Sequence, residues 1–93
     1  REITMYRELP PGEILIYPNP AKQETNILVQ LSGARSVGIR IFDAAGRLVY
    51  EEQEHQEGSF VRNVDLSGLS SGMYQVMVQA GNEVMIGRLV KEE

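Results

Sequence analysis

Val37-Gly38-Ile39-Arg40-Ile41-Phe42-Asp43-Ala44-Ala45-Gly46-Arg47-Leu48-Val49 reads as a strand, a turn and a returning strand. Val37, Ile39 and Ile41 alternate with Gly38, Arg40 and Phe42, the period of two that sends one set of side chains to a core and leaves the other near solvent. Asp43 stands where a turn carboxylate accepts from nearby backbone N–H groups, and Gly46 stands where φ turns positive at no Cβ penalty. A hairpin between the two flanking runs follows, with Asp43 and Gly46 serving the turn.

Outward from this hairpin, short apolar runs recur at residues 14–17, 26–31, 37–42, 48–52, 60–64, 73–80 and 84–90, separated by Gly, Asn, Asp and Ser. None keeps a helical period over ten or more positions. In the sixth run Tyr74, Val76 and Val78 face one way, and Met73, Gln75, Met77 and Gln79 the other. Gly81-Asn82 fits a two-residue type II′ loop that pairs the last two runs. Leu66, Leu69, Gly72 and Tyr74 have the spacing of a sandwich corner: the leucines plug one end of the core, Gly72 permits a bend, and the Tyr74 hydroxyl bonds backbone a few residues upstream. The expected fold is all-β, a seven-stranded immunoglobulin-like antiparallel β-sandwich.

Ninety-three residues suffice for one domain, and 42% hydrophobic with 24% charged residues is an ordinary globular composition. Residues 1–13 mix charge with Pro10-Pro11-Gly12 and read as a linker into a domain of residues 14–93. A net charge of −4 with Lys and Arg scattered singly speaks against a nucleic-acid surface. No apolar run approaches the roughly 20 residues of a membrane span, so direct membrane insertion is not expected. Cysteine is absent, which removes disulfides and thiolate chemistry.

Reactive groups do not assemble into a catalytic pattern. His55, the one histidine, is read as lying in a polar loop over residues 51–58, without a second imidazole or thiol to share a metal. Glu51, Glu52, Glu54 and Glu57 lack the Asp-x-Asp-x-Asp-Gly spacing of a calcium loop. Ser67, Ser70 and Ser71 have no Gly-x-Ser-x-Gly elbow and read as turn residues. No enzyme, cofactor or metal site is expected.

Tyr17-Pro18-Asn19-Pro20-Ala21, the hairpin over residues 37–49, Val64-Asp65-Leu66-Ser67 through Leu69 to Gly72-Met73-Tyr74, and a last apolar strand followed by Lys91 occur in an order that resembles the C-terminal sorting domain of the type IX secretion system. The resemblance spans residues 14–91. It implies a sandwich at the end of a larger Bacteroidetes protein, carried through the periplasm and recognised by an outer-membrane translocon. In most members a sortase-like cysteine protease then removes the domain and leaves the parent at the cell surface, attached to lipopolysaccharide. The residues that carry the signal by this resemblance are Pro18, Asn19, Pro20, Asp43, Gly46, Leu69, Gly72, Tyr74, Val84, Ile86, Leu89, Val90 and Lys91. Gly87 departs from the pattern, in which a longer side chain is commoner.

Each motif also has a plain backbone reading. Pro18 and Pro20 lack N–H groups and end a strand, with Asn19 driven extended by the ring that follows it. The last strand is also an ordinary edge strand. Two other functions fit the same fold: a docking domain retained on a component of the secretion machinery, and a fibronectin-like or carbohydrate-binding module of an exported enzyme. The absence of Trp weakens the sugar-binding reading, since sugar sites usually expose a planar aromatic platform.

Overall fold

Strand alternation sets the architecture. The computed structural model describes residues 13–31 and 34–93, so the expected linker lies outside the described residues except for Glu13. Seven strands follow in order: β1 (Ile14–Tyr17), β2 (Glu24–Val29), β3 (Ala34–Phe42), β4 (Leu48–Glu57), β5 (Phe60–Asp65), β6 (Gly72–Ala80) and β7 (Glu83–Lys91). They form a three-stranded sheet, β1-β2-β5, and a four-stranded sheet, β4-β3-β6-β7. All strand pairs are antiparallel. The chain is an all-β sandwich of immunoglobulin-like type.

The core lies between the sheets. Ile27, Val29 and Val64 from one sheet meet Val37, Ile39, Ile41, Val76, Val78, Met85 and Leu89 from the other, all buried. The alternation read from β3 and β6 is therefore the alternation that builds the core. At roughly 25 cal/mol per Å² of buried apolar surface, this layer supplies the main driving force in a domain without disulfides.

The turns use the expected residues. The Gly46 N–H donates to the Asp43 carbonyl at 2.9 Å, and Asp43 Oδ1 accepts from the N–H groups of Ala45 and Arg47, each at 2.9 Å. Gly46 has φ +88°. Gly81 has φ +61° and, among the described residues, no non-glycine residue has positive φ, so Gly81-Asn82 is a type II′ loop and not type I′. At the corner, the Tyr74 hydroxyl donates to the Ser70 carbonyl at 2.5 Å, Leu66 is fully buried, and Leu69 packs half-buried on the core.

The boundaries of β2, β3 and β4 differ from the sequence reading by two residues or more. β3 starts at Ala34 and β4 runs to Glu57, the two ends pairing with each other, so His55 sits on a strand opposite Ser36 and not in a loop. The polar run is a strand because Glu52, Glu54 and Gln56 are half-buried while Glu51, Gln53, His55 and Glu57 are exposed. The inward carboxylates meet Arg62 of β5 in ion pairs, Glu52 at 3.2 Å and Glu54 in closer contact. β2 begins two residues earlier than expected, because Glu24 and Thr25 pair with Asp65 and Val64. It also ends earlier: the Leu31 N–H turns to Ser59 Oγ, at 3.2 Å.

Candidate functional site

β7 is an edge strand of the larger sheet, and the segment after β1 closes over part of its open side. Residues 18–20 carry the chain from the smaller sheet to the larger one, with both X–Pro bonds cis. The buried Thr25 hydroxyl on β2 donates to the Pro18 carbonyl at 2.9 Å and anchors one end. Asn19 engages the other: its Nδ2 donates to the Arg88 carbonyl at 2.7 Å and its Oδ1 accepts from the Val90 N–H at 2.9 Å. A side-chain amide thus imitates the donor and acceptor of a neighbouring strand.

Ala21 continues the same pairing with its main chain. Its N–H donates to the Val90 carbonyl at 2.8 Å, its carbonyl accepts from the Glu92 N–H at 2.7 Å, and it forms a parallel bridge with Lys91. Residues 19–21 are therefore a strap along the C-terminal half of β7. Proline suits the flanking positions, because neither Pro18 nor Pro20 has an N–H to leave unpaired.

The side chains of β7 divide by face. Met85 and Leu89 enter the core, whereas Val84 and Ile86 are 53% and 57% exposed. Ile86 lies opposite Met77, and Val90 opposite Met73, which is 50% exposed. The outer face of β6 and β7 thus carries an apolar band beside Gln75, Gln79 and Arg88. At the adjoining end of the sandwich, a shallow depression between Asp43, Met73, Tyr74, Ile86 and Arg88 links this band to the β3–β4 turn.

Under β7, Gly87 faces the smaller sheet. A Cβ there would come within 2.8 Å of Ile16 Cδ1 and 3.1 Å of Ile14 Cδ1. Glycine lets β1 and β7 approach across the open side of the sandwich, which accounts for the departure noted in the sequence.

Of the sequence-predicted residues, Pro18, Asn19 and Pro20 join Val84, Ile86, Leu89, Val90 and Lys91 in one region around β7. Asp43, Gly46, Leu69, Gly72 and Tyr74 gather at the end of the sandwich where the β3–β4 turn meets the corner. The N–H of Arg47 is the main influence holding the Asp43 carboxyl below its ordinary range; slight burial opposes it, and the Arg47 side chain and Ala45 N–H assist. The sequence marks neither the Thr25 hydroxyl nor the Ala21 main chain as part of this region, and it marks Gly87 only as a departure from the pattern. The Ala21 bonds reach across the chain to Val90 and Glu92, and the Thr25 hydroxyl turns back to Pro18 without a turn motif to mark it, whereas Gly87 was visible as a lone glycine within a strand run.

Residues 15–92 match the family model described as Secretion system C-terminal sorting domain. The chain belongs to this family. It is a C-terminal secretion signal of the type IX system, and such a signal implies interaction with that system and export to the cell surface or beyond. The family is one of sorting signals and not an enzyme family, and its match sets the sorting function above the carbohydrate-binding alternative.

No curated protein matches the sorting domain. Among solved structures it is similar to the CARDB domain of a Pyrococcus furiosus protein in complex with di-metal ions, at 16% identity, with a TM-score of 0.52 and coverage of 86% of this chain and 84% of that one. This likeness is one of fold. Within the described residues of the sorting domain, no group of three or more His, Asp or Glu side chains is placed to hold a metal ion.

Proposed function

We propose that the sorting domain comprises residues 14–93 and presents the outer face of β6 and β7 to the outer-membrane translocon, with the strap at residues 18–21 fixing the position of β7. One observation carries this reading. Val84 and Ile86 are more than half exposed at a sheet edge whose continuation is held by Asn19 and Ala21. Exposed apolar surface of this kind costs solubility and is normally kept where a partner covers it.

In this reading the domain acts by shape and does no chemistry. It passes through the periplasm and takes its parent protein to the outer membrane. Residues 1–13, read from the sequence as a linker, contain or border any site at which a sortase-like cysteine protease removes the domain. Tyr74, Leu69, Gly72, Asp43 and Gly46 serve recognition indirectly, by holding the end of the sandwich on which the β6–β7 face ends.

The test is a fusion of residues 1–93 to the C-terminus of a periplasmic reporter in a cell with a working type IX system. The reporter is expected at the cell surface, and deletion of residues 84–93 is expected to retain it inside. Undiminished delivery after that deletion would remove β7 from the signal.

A further inference from the structure

An unpaired strand edge is a row of free donors and acceptors, and sheets usually blunt it with charge, bulges or cover. β4, the opposite edge of the same sheet, follows this rule. It carries Glu51, Glu52, Glu54 and Glu57, and its register is interrupted beside Ile41 and Phe42.

β7 follows it over only half its length. The bonds from Asn19 and Ala21 to the main chain of Arg88, Val90 and Glu92 show that the even-numbered residues point their N–H and C=O groups away from β6. Antiparallel alternation puts the corresponding groups of Val84 and Ile86 on the same open side. Among the described residues nothing pairs with these two donors and two acceptors. The side chains above them are Val84 and Ile86, with Met77 beside Ile86, so the bare edge is flush with the apolar band.

We propose that the main chain at residues 84–86 receives an extended segment of the secretion machinery as an added strand, and that the strap confines this addition to residues 83–87. The inference rests on the sorting function and specifies how the partner binds. The occupant follows from continuity, because the same edge already takes a strand-like segment of its own chain at residues 88–92, in a parallel bridge. It follows also from charge. Glu83 and Arg88 flank the bare stretch, both exposed and neither ion-paired among the described residues. The matching segment carries apolar side chains at alternate positions, a carboxylate toward Arg88 and a cation toward Glu83. Main-chain bonds hold it and the alternate side chains select it.

Because the N–H of Ile86 points away from β6, Ile86→Pro removes a donor from the open edge and none from the β6–β7 ladder, a position where strands tolerate proline. Ile86→Lys keeps that N–H and places a charge at the edge. His55→Lys, on β4, is the control. With the reporter fusion of residues 1–93, Ile86→Pro is expected to lower surface delivery about tenfold, the scale of one lost edge hydrogen bond, and Ile86→Lys is expected to lower it also, because its charge blunts the edge against an added strand. His55→Lys is expected to have no effect, and the thermal melts and β6–β7 amide exchange of all three variants should stay native. If Ile86→Pro does not fold, Ile86→Lys alone decides the matter. Wild-type delivery by a folded Ile86 variant overturns the added-strand mode and leaves the sorting function standing, whereas a wild-type fusion that stays inside overturns both. Sedimentation separates the remaining occupant: a wild-type dimer made monomeric by Ile86→Pro without loss of delivery assigns the edge to a second copy and overturns the proposal.

Discussion

At Gly87 a single absent methyl group decides how closely the two sheets approach along one side. The Ile14 and Ile16 side chains occupy the space in which a Cβ would stand. Their δ-methyls have some freedom to withdraw, so Gly87→Ala is expected to be mild, whereas Gly87→Val forces a larger shift and should cost about 1–3 kcal/mol by overpacking. Urea unfolding measures this, and Gly87→Val combined with Ile16→Ala should recover part of the loss. A double variant no more stable than Gly87→Val alone would show that the contact is not the cause. Asp43 gives a second residue-scale expectation. Its folded pKa is lowered, so its contribution is present above the ordinary carboxylate range and is lost as pH falls through the lowered value. Asp65 shifts the same way, chiefly through the Ser67 N–H. Asp43→Asn is therefore expected to flatten the acid limb of a stability-versus-pH curve; an unchanged limb would assign it to other groups.

The strap is where a local motif becomes an element. Asn19 makes two bonds to the main chain of β7, at 2.7 and 2.9 Å, and each such bond contributes about 0.5–1.5 kcal/mol net. Asn19→Ala is expected to destabilise by about 1–3 kcal/mol in total and to speed exchange of the Val90 amide ahead of the Met85 and Leu89 amides. Uniform acceleration across β7 would mean that the strap acts on the whole domain and not on one half of a strand. The hairpin at residues 37–49, the type II′ loop and the Tyr74 corner were legible because each depends on residues within a few positions of one another. The strap was not: Pro18-Asn19-Pro20 shows that a strand ends, but the partner of Asn19 lies about 70 positions away. The full length of β4 was hidden for a different reason. Its inward residues Glu52, Glu54 and Gln56 are polar, and a strand whose buried face is filled by charge has no apolar alternation to read.

Across the whole molecule the sandwich closes differently on its two open sides. Ile14, Ile16 and Gly87 close the β1–β7 side with apolar contact, and Arg62, Glu52, Glu54 and Tyr50 close the β4–β5 side with a polar network. The apolar side is the one beside the candidate docking edge, so a pH change that loosens the polar side need not disturb recognition. Tyr50 supplies the handle. Burial, followed by its hydrogen bond to Glu52, pushes its pKa from 10.0 up to about 12. A raised folded pKa means that the contribution is complete below the unfolded value near 10 and declines as pH rises toward 12. Wild-type stability should fall over that interval by more than that of Tyr50→Phe, which has no proton to lose and no bond to Glu52. The two proteins should thus differ at pH 9 and converge toward pH 12, as read from urea midpoints at matched ionic strength. A difference that stays constant across that interval would place the ionisation elsewhere and leave Tyr50 as a packing residue only.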